Sequence, residues 1–127
     1  MPTARRSAAF TLIELLVVMA IVATLLTLAV PRFFGSIERS KEAVLKQNLA
    51  TLRDTIDKYY GDRGRYPDSL EDLVVKKYLR NVPLDPLTES AATWVIVTPE
   101  DPGKGMVYDV KSGAQGNASD GTSYDDW

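Results

Sequence analysis

The hydrophobic positions of this chain fall into three regimes. From Phe10 to Val30 they are nearly continuous, and the one charge among them is Glu14. These 21 residues would span roughly 31 Å as a helix, about one hydrocarbon thickness. From Phe34 onward the apolar residues become periodic. Phe34, Ile37, Val44, Leu45, Leu49, Leu52, Ile56, Tyr59 and Tyr60 recur mostly at steps of three or four, the stripe of an amphipathic helix. Leu49, Leu52 and Ile56 read as core. The pairs Glu42–Lys46, Arg53–Asp57 and Asp54–Lys58 read as solvent-side partners four residues apart. Gly61 reads as a stop and Pro31 as a kink, which predicts one helix over Phe10–Tyr60.

Beyond Gly61 the pattern shortens. Asp62–Pro67 is a turn. Asp68 or Ser69 can cap a helix over Leu70–Tyr78 with Leu70, Leu73, Val74 and Tyr78 on its apolar face. Pro83–Pro86 is a rigid turn. Thr93–Thr98 is β-branched and aromatic, Pro99–Gly105 is a loop, and Met106–Lys111 returns antiparallel. The expected fold class is α+β: a long N-terminal helix, membrane-spanning in its first half, packed against a small antiparallel sheet head.

Composition narrows the function. At 127 residues, 45% hydrophobic and 25% charged, the chain supports one globular core. It has no cysteine and no histidine, so disulfides, thiol chemistry and the commonest general base are absent. With no paired acid/base constellation outside the acidic C-terminal end either, the expectation is a non-enzymatic protein. A net charge of −2 argues against direct nucleic-acid binding. That net conceals segregation: residues 32–80 carry eleven bases and eight acids, residues 81–127 two bases and eight acids. Arg5 and Arg6 precede the apolar run and should stay cytoplasmic, placing the rest of the chain across the membrane. An ordinary signal peptide cut after Thr27-Leu28-Ala29 is the plain alternative. Glu14 opposes it, because a carboxylate inside lipid costs about 2.5–3.5 kcal/mol on insertion scales and calls for a partner.

The string Ala9-Phe10-Thr11-Leu12-Ile13-Glu14-Leu15-Leu16-Val17-Val18, after a short basic leader and followed by Pro31, resembles the class III leader of type IV pilins and type II secretion pseudopilins. The resemblance implies that a prepilin peptidase cuts between Ala9 and Phe10 and methylates the new Phe10 amine. Ala9 stands where the family usually has Gly. It further implies a leader over 1–9, a transmembrane and polymerisation helix over 10–31, and a periplasmic head over 32–127. The protein would be single-pass in the bacterial inner membrane. Its partners would be copies of itself, minor pseudopilins and an inner-membrane assembly platform. Glu14 would then pair with the Phe10 amine, on a neighbouring subunit or on its own.

The segment Ser112–Trp127 is rich in Gly and Ser yet contains Tyr124 and Trp127. By residue type, Asp120, Asp125 and Asp126 are candidate ligands for calcium, a hard cation that takes six to eight oxygens, although their spacing does not fit an EF-hand. The other reading is a loop held by Tyr124 and Trp127 packing and by turn hydrogen bonds. Gly64–Pro67, Leu84–Pro86 and the acidic ending are similar to the major, G-type pseudopilin of type II secretion, which implies calcium at those three aspartates. In this chain the interval from Asp120 to the acid pair is shorter than in that family. The functional expectation is a structural subunit of a secretion pseudopilus. The alternatives are a type IV pilin or minor pilin serving adhesion, motility or DNA uptake, and a secreted binding protein.

Overall fold

The computed structural model describes residues 9–127, so the basic leader with Arg5 and Arg6 lies outside the described residues. The chain divides into two compact units, Met1–Ile37 and Glu38–Trp127. One helix, α1 (Leu12–Arg63), runs through both.

Helix α1 starts where a local signal tells it to. The Thr11 hydroxyl accepts the Glu14 backbone N–H at 3.2 Å, an N-cap in a Thr-x-x-Glu sequence. Pro31 lies inside the helix and does not end it. Gly61 does not end it either: α1 continues to Arg63, and the reversal falls on Gly64, with φ of +72° and its N–H on the Tyr60 carbonyl at 2.8 Å. A Gly in a helix interior costs only about 1 kcal/mol, whereas the left-handed residue that closes the helix strongly favours Gly, so the second glycine makes the stop.

In the first unit no large apolar side chain of the helix is covered by the chain itself. Leu12, Met19 and Leu28 are 74%, 61% and 68% exposed. It is the one helix among the described residues long and apolar enough to cross a membrane.

The second unit has the core. Leu45, Leu49, Leu52, Ile56 and Tyr59 of α1 are buried against Leu70, Leu73, Trp94, Val107 and Val110. Helix α2 (Leu70–Val75) is shorter than the pattern suggested. Ser69 caps it, its hydroxyl accepting the Asp72 N–H at 3.2 Å. It ends in a Schellman turn, with Tyr78 N–H on Leu73 O at 2.8 Å and Lys77 N–H on Val74 O at 3.1 Å. Strands β1 (Val95–Val97) and β2 (Asp109–Lys111) pair antiparallel with Ile96 opposite Val110. β1 lies inside the predicted Thr93–Thr98, and β2 is the last half of the predicted Met106–Lys111. A single 3₁₀ turn, Pro102–Lys104, occupies the loop between them.

Candidate functional site

Two regions carry the polar residues that the sequence singles out, one in each unit. In the first, Ala9 and Phe10 precede α1 and Phe10 is 80% exposed. Glu14 sits in the first turn of the helix and is exposed among apolar neighbours. Four residues separate it from Phe10, so a cut between Ala9 and Phe10 would create an amine within about one helical turn of this acid.

In the second unit, the solvent-side ion-pair assignment holds for one of three pairs. Lys58 and Asp54 meet at 3.1 Å. Glu42 and Arg53 instead turn to the C-terminal segment. Glu42 is buried, at 8% exposure, and both its oxygens are used. Oε1 accepts the Ser119 N–H at 2.8 Å and the Tyr124 hydroxyl at 3.0 Å, and Oε2 accepts the Ser119 hydroxyl at 2.6 Å. The Ser119 hydroxyl, then the Ser119 amide, hold the Glu42 carboxyl below its ordinary range against the opposing effect of burial. The Tyr124 phenol is pushed up, first by burial and then by its bond to that carboxylate.

Arg53 Nε meets Asp109 at 2.8 Å, and its Nη2 donates to the main-chain oxygens of Val110 at 3.0 Å and Trp127 at 2.6 Å. Lys46 lies 4.5 Å from the centre of the Trp127 ring. An isolated i,i+4 pair is worth about 0.2–0.5 kcal/mol, while charge-assisted bonds in a partly buried site are worth about 1.5–3 kcal/mol. The tertiary partners win.

A third anchor, Asp85, is fully buried in the turn read from sequence only as rigid. It accepts the Ser112 hydroxyl, the Leu87 N–H at 2.9 Å and the Thr88 N–H. Asn48 of α1 donates to Leu84 O at 2.7 Å, and the Trp94 indole to Pro83 O at 2.8 Å, so that turn is tied from two sides. Asp85, Ser112 and Ser119 were missed as anchors. Their signal was faint: an acid between two prolines and serines in a Gly-rich stretch.

The three aspartates assigned to calcium share one segment but do not converge. Asp120 Oδ1 accepts the Thr122 hydroxyl at 2.6 Å and the Thr122 N–H at 3.0 Å, and these bonds, the hydroxyl first, lower its pKa. Asp125 and Asp126 are exposed in the 3₁₀ turn Tyr124–Asp126. Among the described residues no three His, Cys, Asp or Glu come together to hold a metal. The donor set as arranged does not fit calcium. The second reading of the segment describes its geometry better. Tyr124 and Trp127 meet edge-on at 5.2 Å, the Trp127 indole donates to Thr122 at 2.7 Å, and Ala118 N–H reaches Thr122 O at 2.7 Å.

Comparison with known proteins bears on both regions. Residues 4–30 match the prokaryotic N-terminal methylation motif. The chain is 31% identical over 120 residues to type II secretion system core protein G of Dickeya chrysanthemi, covering 82% of this chain and 76% of that protein. This chain belongs to the core protein G family. The core protein G of Xanthomonas campestris pv. campestris is 28% identical over 98% of this chain and 90% of its own length. The type IV major pilin protein PilA of Myxococcus xanthus is 35% identical, but over 54% of this chain and 31% of the pilin. No solved structure matches. The aligned core protein G relatives cover both parts of the sequence, the methylation motif with its apolar helix and the head that follows it.

Proposed function

We propose that this chain is a subunit of a type II secretion pseudopilus. It is processed between Ala9 and Phe10, methylated on the Phe10 amine, and polymerised from the inner membrane into a helical periplasmic filament that drives protein export. Its role is structural. The observation that carries this reading is the apolar part of α1, exposed around its circumference, with Glu14 as its one acid. Lipid can cover the apolar side chains but cannot satisfy the carboxylate. A bundle of copies covers both, because the Phe10 amine of an incoming subunit neutralises Glu14 of one already in place and sets the axial register. The match to the methylation motif supports the processing step, and core protein G relatives aligned over most of the chain favour a pseudopilus over a type IV pilus. The partners that follow are prepilin peptidase, further copies, minor pseudopilins and the assembly platform.

Intact mass after co-expression with a prepilin peptidase tests this. Loss of Met1–Ala9 with gain of one methyl group is expected, and loss through Ala29 would overturn the reading. With processing intact, Glu14→Ala should abolish filaments in the reconstituted system. Normal filament yield from that variant would refute the pairing.

A further inference from the structure

We propose that the C-terminal loop of this protein is closed by the Glu42 carboxylate rather than by a divalent cation. The geometry has the polarity of an anion-centred clamp. In a calcium site, oxygens converge on a positive ion. Here an amide N–H and two hydroxyls converge on a carboxylate, and both of its oxygens are occupied. Asp120, next to Ser119 in the chain, turns its Oδ1 to Thr122, and Asp125 and Asp126 face solvent.

The clamp extends along one face of α1. Glu42, Lys46 and Arg53 lie at i, i+4 and i+11, spacings that return to the same side of a helix. Glu42 takes the middle of the Ser112–Trp127 segment at Ser119, Lys46 lies over the Trp127 ring, and Arg53 takes the Trp127 oxygen. One strip of helix therefore fixes the segment at its middle and at its end. Leu49, on the same strip, supplies the apolar floor at 2% exposure. A metal would have the same task, to offset the chain entropy of a Gly-rich segment, and the clamp already performs it.

This inference is independent of filament assembly, so the full chain in detergent micelles is sufficient for its test. Thermal unfolding is followed by tryptophan fluorescence, because Trp127 belongs to the loop and Trp94 to the core. The midpoint in chelator is expected to equal that in millimolar calcium chloride. Glu42→Gln, which keeps the shape but places a donor against donors, should lower the midpoint by about 4–8 °C in both media. If Glu42→Gln does not fold, Ser119→Ala should give a smaller drop, since the amide bond to Oε1 survives. Asp125→Asn with Asp126→Asn should leave the midpoint unchanged. A calcium-dependent rise that the double Asn variant removes would overturn the proposal, and so would an unchanged midpoint in both Glu42→Gln and Ser119→Ala.

Discussion

The two parts of α1 solve opposite problems with the same secondary structure. Over Leu12–Ile37 the helix keeps its large apolar side chains uncovered, and its one acid before Pro31 has no counter-ion among the described residues. Over Glu38–Arg63 the apolar side is covered by the chain's own head, and its key polar side chains find partners 56 to 82 residues away. Secondary structure alone does not distinguish a helix built for a membrane and for neighbours from one built for a core. The difference lies in where satisfaction comes from: other molecules in the first part, the same molecule in the second. A helix that is apolar all round needs a non-aqueous environment, while an amphipathic one can be completed by its own chain.

The largest expected effect sharpens that contrast with one substitution in each part. Leu52 is fully buried, so Leu52→Ala should cost the second unit about 2–5 kcal/mol through lost transfer energy and the cavity left behind. Leu25 is 60% exposed, and Leu25→Ala should shift the same transition by less than about 0.5 kcal/mol. Guanidinium titration of both variants in detergent micelles, read by tryptophan fluorescence, measures the difference. Equal losses would mean that the head depends on the membrane segment for its stability.

The second prediction concerns the anchor that ties the end of the chain to α1. Glu42 ionises more readily in the folded head than its ordinary value of 4.5 implies, chiefly because of the Ser119 hydroxyl and amide. A carboxyl depressed by folding binds its proton more tightly when unfolded. Its contribution is therefore complete above that ordinary value and is lost as the pH falls through the depressed one. Asp120 is depressed in the same direction. Wild type minus Glu42→Gln is thus the informative quantity, and it should shrink as the medium is acidified below the ordinary value. A difference that stays flat across the acid range would mean that Glu42 contributes through shape and not through charge.

Much of this architecture is legible in the sequence, and all but one of the failures share one cause. The membrane run, the Leu49, Leu52 and Ile56 core, the Ser69 cap and the antiparallel strand pair all follow from local pattern, because each is decided by residues a few positions apart. Spacing along the sequence pairs Glu42 with Lys46 and Arg53 with Asp57, each four residues on. Their true partners are distant serine, tyrosine and aspartate side chains and main-chain oxygens, which periodicity does not encode. The same holds for Asp85, whose donors come from Ser112 and from its own turn. For the calcium ligands, residue type suggested a cation, while the direction of the donors, visible only in the fold, points to a carboxylate centre. The helix stop misled for a local reason: two glycines stand three residues apart, and only Gly64 adopts the left-handed conformation.

That last point leads to the smallest prediction, which compares the ends of two helices in the head. Gly64 closes α1 with φ of +72°, and Lys77 closes α2 with φ of +64°. The backbone task is the same but the residue differs. A side chain in the left-handed region costs about 1–2 kcal/mol, and Gly gives back about 0.5–1 kcal/mol of that through its greater freedom when unfolded. Lys77 is exposed, and the bonds that define its turn run from backbone to backbone. Lys77→Gly should therefore stabilise the head by about 0.5–1 kcal/mol, and Gly64→Lys should destabilise it by a similar amount. Chemical denaturation of the two variants gives both signs. A loss of stability in Lys77→Gly would show that this lysine holds its turn through its side chain, against local backbone preference.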